Sequence, residues 1–122
     1  MPHITVEYSS NLESWVSVKA LIEELHRAVV QSGLFETAAV RTRALPRSVY
    51  LIADGAAQNV FLHIVARIRA GRTTEDRKSL GASLLRAAKD AIAALPASAP
   101  IALTVEVQEI DPEMLFRHIT IK

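Results

Sequence analysis

Three observations predict that this chain is an α+β fold built from two tandem β-α-β units. Two stretches, Pro2 to Tyr8 and Val60 to Ala70, alternate apolar and polar residues with the period of a half-buried strand. Each is followed by apolar residues at helical spacing and then by a further strand-like segment. The two halves, about 2–55 and 58–112, keep the same order about 60 residues apart, a repeat of pattern rather than of residues. Placing Val18-Lys19-Ala20-Leu21 over Lys78-Ser79-Leu80-Gly81 brings Leu25 over Leu85 and Ala28 over Ala88. Two such units lay four main strands in one sheet with both helices on one face. The chain has 122 residues, within the usual size of one domain, about 100–150 residues, so residues 1–122 are read as a single domain.

The elements follow in order. Ile4, Val6 and Tyr8 share one face of the first strand, with His3, Thr5 and Glu7 on the other, and Ser9-Ser10-Asn11 breaks it. Val18, Leu21, Ile22, Leu25 and Val29 form the apolar stripe of a helix from about Ser17 to Ser32, with Ser17 as N-cap and Gly33 as stop. A strand near Ala39 to Leu45 is expected to close at Pro46, and Ser48 to Ala53 is a weaker strand candidate before the turn at Asp54-Gly55. In the second half, Val60 to Ala70 is a strand and Gly71-Arg72 a turn. Thr73, with Asp76 three residues on, resembles a capping box, and Glu75 also favours a helix start. Leu80, Leu84, Leu85, Ala88 and Ile92 line that helix, which should stop before Pro96. Ile101 to Ile110 is the last long strand, and the tail from Pro112 has some β tendency at His118 to Ile121. The sheet face away from the helices is then expected to carry His3, Thr5, Arg41, Arg43, His63, Arg67 and Arg69 or their alternates. Such a mixed face suits solvent, a ligand or another subunit.

Composition narrows the function classes. Fourteen Lys and Arg stand against 13 Asp and Glu, so no strong field favours nucleic acid or an anionic membrane. Cysteine is absent, which excludes disulfides and thiolate metal sites and fits a cytoplasmic location. No apolar run approaches the roughly 20 residues that span a bilayer, and no secretory signal pattern is present. Hydrophobic residues make up 50% of the chain, enough that some apolar surface is expected to meet another subunit.

Pro2 is the residue with the most chemical content. A small residue after the initiator Met favours removal of Met1, and the nitrogen of Pro2 would then be a secondary amine rather than an amide. An α-amino group titrates at about 7.7–8.0. Burial and nearby guanidinium groups lower that value and bring it into the range of a general base near pH 7. With Met1 kept, Pro2 has no such role. Arg41 and Arg43, two apart on a strand, project from one face and match carboxylates with their fork of donors, or else belong to a solvated face. Arg72 sits where a strand gives way to a helix, at backbone N–H groups and a dipole that favour an anion, or else in an exposed turn. His3 and His63 lie on strands without the spacing of a metal pair. Glu7, Glu106 and Glu109 show no pairing suited to two-carboxylate catalysis, and the sequence has neither a Gly-rich phosphate loop nor a Gly-x-Ser-x-Gly elbow. The aromatic residues lack the spacing of a base-stacking platform.

Several segments together resemble one family. Met-Pro-His-Ile-x-Val-Glu-Tyr-Ser-x-Asn-Leu at the start, Val40-Arg41-Thr42-Arg43, Ala53-Asp54-Gly55, Phe61-Leu62-His63 and Ala70-Gly71-Arg72-Thr73-x-Glu75-x-Arg77 are collinear with 5-carboxymethyl-2-hydroxymuconate isomerases of the tautomerase superfamily. The second half also resembles a 4-oxalocrotonate tautomerase subunit. The resemblance implies a homotrimer of β-α-β units in which Pro2 shuttles a proton on an unsaturated dicarboxylate. Arg41 and Arg72 would hold carboxylates with Arg43 close by, and no metal or organic cofactor would be needed. The chain departs from the family at Leu45 and Pro46, where a His and an aromatic are common, and in its shorter tail. Two other functions remain open at the level of sequence. One is a hydratase, dehalogenase or decarboxylase using a protonated Pro2, and the other a non-catalytic ferredoxin-like assembly module.

Overall fold

The computed structural model describes all residues, 1–122. Its regular elements are β1 (His3–Ser9), α1 (Val18–Gln31), β2 (Arg41–Arg47), β3 (Val60–Arg69), α2 (Thr74–Ala91) and β4 (Ile101–Ile110), with short 3-10 turns at Ser10–Ser14, Thr37–Ala39 and Pro112–Met114. The strands form one sheet in the order β2-β1-β3-β4. Within each unit the two strands are parallel, as a helical crossover requires. Between units β1 and β3 run antiparallel, with His3 opposite Arg67 and Tyr8 opposite Leu62.

Alternation along the strands decides which face meets the helices. Ile4, Val6 and Tyr8 of β1 and Val60, Leu62, Ile64, Ala66 and Ile68 of β3 are buried, and they join Leu21, Leu25 and Val29 of α1 and Leu80, Leu84 and Ala88 of α2 in one core. Each such Leu, Ile or Val contributes roughly 1.5–3 kcal/mol by leaving water. The expected arrangement, both helices on one face of a four-stranded sheet, is what forms. The other face carries His3, Thr5, Arg41, Arg43, His63, Arg67 and Arg69, in register across the strands.

Local chemistry sets the helix ends. The Ser17 hydroxyl accepts from the Ala20 N–H at 3.2 Å, and the Thr73 hydroxyl accepts from the Asp76 N–H at 3.1 Å, each satisfying a donor that the first helical turn leaves free. Gly33, at φ 71°, ends α1 in a conformation that a side chain disfavours.

Three expectations need correction. β2 does not close at Pro46 but runs to Arg47. It is an edge strand, paired only with β1, so the missing N–H of Pro46 can point away from the ladder without breaking it. Ser48 to Ala53 is not a strand. No neighbour pairs with it, Val49 and Leu51 are 94% and 90% exposed, and the chain turns through Ala53 and Gly55, both at positive φ. The Asn59 side chain fastens this loop by donating to the Ile52 carbonyl at 3.1 Å and to Asp54 at 3.2 Å. His118 to Ile121 also remain outside the sheet and exposed.

Candidate active site

The sheet order gathers the candidate residues at one end. β1 and β2 are parallel, so the amino ends of both, with Pro2 and Arg41, lie together. β3 runs the other way, which brings its carboxyl end and the following Gly71-Arg72 turn to the same place. β4 is parallel to β3 and delivers the carboxyl-terminal tail there too.

Pro2 is buried, and its carbonyl accepts from the Arg41 N–H at 3.1 Å. Ahead of it, the Met1 α-amino group donates to the Ala39 carbonyl at 3.1 Å, and Arg41 Nη1 donates to the same oxygen at 2.6 Å. One carbonyl, at the end of the 3-10 turn before β2, thus holds the terminal amine beside a guanidinium. Burial, and then the charges of Arg41, Arg117 and Arg72, depress the proton affinity of this amine below its ordinary value of 8.0. Like charges nearby disfavour the protonated form, so a larger share of the amine is neutral at a given pH.

Arg72 is half-buried and fixed. Its Nε and Nη2 donate to the Leu34 carbonyl at 3.3 and 2.8 Å, Nη1 donates to the Arg69 carbonyl at 3.4 Å, and the guanidinium lies 4.3 Å from the centre of the Phe35 ring. Of the five N–H donors of a guanidinium, three are engaged here and two are left for a ligand. Gly71, at φ 123°, makes the bend that sets Arg72 between β3 and the Thr73 cap.

Arg43 lies apart from the Ala39 cluster. Its Nη1 donates to His3 Nδ1 at 3.0 Å. Arg has no acceptor, so His3 offers Nδ1 unprotonated and carries its proton on Nε2. Burial, then Arg43, the terminal amine, Arg41 and Arg67, lower the pKa of His3 and favour this neutral ring. His63 is farther along the open face, with Nε2 at 3.2 Å from Glu106 and Nδ1 at 2.5 Å from the Thr104 hydroxyl.

Of the predicted set, Pro2 and Arg41 are joined by a backbone hydrogen bond and Arg72 acts with Arg41 on the terminal amine, while Arg43 is turned to His3 on the open face. Sequence reasoning missed Arg117, Phe35 and the Ala39 carbonyl. Arg117 lies in a tail with no periodicity, and only the parallel pairing of β4 with β3 reveals that this tail returns to the amine. Phe35 follows a helix stop, in a stretch without pattern.

The family model for 5-carboxymethyl-2-hydroxymuconate isomerase matches residues 2–122. The chain belongs to that family. A 5-carboxymethyl-2-hydroxymuconate Delta-isomerase of Escherichia coli is 31% identical over 118 residues, 97% of this chain and 94% of that protein. The crystal structure of a 5-carboxymethyl-2-hydroxymuconate isomerase from Deinococcus radiodurans R1 superposes with a TM-score of 0.91 at 28% identity, covering 98% of this chain and 90% of the other. A fused 4-OT described as a symmetric trimer shares the fold alone, with a TM-score of 0.66 at 20% identity over 89% of this chain and 85% of that one. Membership in the 5-carboxymethyl-2-hydroxymuconate isomerase family makes the chain an isomerase and sets aside the assembly module.

Proposed function

We propose that the chain isomerises an unsaturated, 2-hydroxymuconate-like dicarboxylate, with the amine of Pro2, freed by removal of Met1, as general base. The observation that carries this reading is the placement of Pro2 beside Arg41, whose N–H donates to the Pro2 carbonyl and whose guanidinium shares the Ala39 carbonyl with the Met1 amine. Burial, and then Arg41, Arg117 and Arg72, lower the proton affinity of that Met1 amine, and the same surroundings would act on the amine of Pro2. The neutral nitrogen of Pro2 takes the proton of the dienol hydroxyl, the oxygen becomes a carbonyl, and the electron pair moves along the conjugated chain. The protonated nitrogen then gives the proton to a carbon farther along that chain, where the new C–H bond forms. Atoms and charge balance without a metal or an organic cofactor. Arg41 and Arg72 hold the carboxylates, and their charges stabilise the anion formed between the two transfers. Arg43 approaches from the open face.

The active form in this reading is a homotrimer. Both outer strands, β2 and β4, present unpaired edges. Val49, Leu51, Met114 and Phe116 are between 69% and 94% exposed on two segments that flank the sheet, more apolar surface than these segments would leave in water. The trimeric fused 4-OT offers an arrangement for such surfaces. No helix is long and apolar enough to cross a membrane, and a cytoplasmic location belongs to the same proposal. Turnover of a panel of dienol acids by the purified protein tests the function. Dicarboxylates should be converted faster than monocarboxylates, and failure to convert any of them would contradict the reading.

A further inference from the structure

Arg72 belongs to the second half of the chain but is held from the first. Beyond the end of α1, the Ser32 hydroxyl donates to the Val29 carbonyl at 2.6 Å and accepts from the Leu34 N–H at 3.3 Å. Leu34 is thereby fixed to the helix end, and its carbonyl accepts from Arg72 Nε and Nη2. The third bond, from Nη1 to the Arg69 carbonyl at 3.4 Å, is long and holds little. Bonds to a single oxygen set the direction in which a guanidinium points, but leave its plane free to rock about the line to that oxygen. Phe35, half-buried against the core, removes this freedom. Its ring centre lies 4.3 Å from Arg72 Cζ and covers one face of the guanidinium. No carboxylate pairs with Arg72, so a neutral carbonyl and a neutral ring hold it and its charge stays available to a ligand.

We propose that Phe35 is a positioning residue for Arg72, its ring fixing the guanidinium plane so that the two free N–H groups meet a substrate carboxylate in the right orientation. A carboxylate engages both arms of the fork only when it lies in their plane, which makes the plane, and not the charge alone, a determinant of binding. The inference rests on the reading of Arg72 as a carboxylate anchor. Phe35 acts through Arg72 and takes no part in proton transfer.

The test is a double-mutant cycle on kcat/KM for a dienol dicarboxylate, with Phe35→Leu, Arg72→Ala and the two combined, and Phe35→Tyr as the conservative variant. Leu keeps an apolar side chain against the core and removes the ring. Phe35→Leu should lose about three- to thirtyfold, and Phe35→Tyr should stay within about twofold of the wild type. Once Arg72 is Ala, Phe35→Leu should cost nothing further. The same loss in both backgrounds, or no loss from Phe35→Leu alone, would overturn the positioning role and leave the anchor standing. If the wild type converts no dicarboxylate, or Arg72→Ala matches it, the anchor reading fails instead. NMR relaxation of the Arg72 Nε–H in the ligand-free protein then decides the positioning role. A lower order parameter in Phe35→Leu than in the wild type and Phe35→Tyr supports it, and equal order parameters reject it.

Discussion

At the scale of single residues, the proposed chemistry rests on the terminal amine and the cations around it. Arg41 and Arg72 are both tied to backbone carbonyls, so each is held before a ligand arrives and gives up little side-chain freedom on binding. Arg41→Ala and Arg72→Ala should lower kcat/KM for dienol dicarboxylates by about ten- to hundredfold, since hydrogen bonds to charged groups contribute roughly 1.5–3 kcal/mol. Steady-state assays on neutral and anionic substrates check this, because loss of a carboxylate anchor affects only the anions. The pH profile gives a second test. Burial, and then Arg41, Arg117 and Arg72, lower the pKa of the Met1 amine. The same surroundings acting on the amine of Pro2 should place the acid limb of kcat/KM below the ordinary range of an α-amino group. Removing one cation raises the pKa, and Arg117→Ala should therefore move that limb to higher pH. Pro2, Arg41 and Arg72 could be singled out in the sequence as candidates because each occupies a position with a local signature: a chain start, a strand face and a strand-to-helix junction. Arg117 has none, and its charge reaches the terminal amine only because the fold brings the two ends of the chain near each other.

At the scale of elements, strand alternation and helix caps made most of the fold legible. β3 and β4 sit where their periodicity put them, because each packs one clear apolar face against α2 and its neighbours. Pro46 misled because its effect depends on sheet position, which local sequence does not encode. At a central strand it would have ended the ladder, while at the β2 edge it is tolerated. Val49 and Leu51 misled for the opposite reason, having strand-like alternation with no partner strand. Caps are a local matter and should behave accordingly. Ser17→Ala removes the acceptor for the Ala20 N–H and should cost about 1 kcal/mol, read as a lower urea midpoint. Its kcat should be unchanged, since Ser17 starts α1 away from the Ala39 cluster.

At the scale of the whole molecule, two pattern-related halves put the first residues of one strand pair and the last residues of the other at one end of the sheet. We propose that the halves, about 2–55 and 58–112, are tandem copies of one β-α-β unit within a single domain. Only the first has a free amine, which accounts for a repeat of architecture without a repeat of residues. The exposed loop and tail carry the proposal of a trimer, and light scattering at micromolar concentration should give the mass of three subunits. A fully active monomer would remove that part of the account.

The central claim is that the base is the nitrogen of Pro2 itself. Intact mass spectrometry of the purified, active protein tests it most directly. The account predicts a chain that has lost Met1 and begins at Pro2, and full activity from protein that retains Met1, where that nitrogen is an amide, would contradict it.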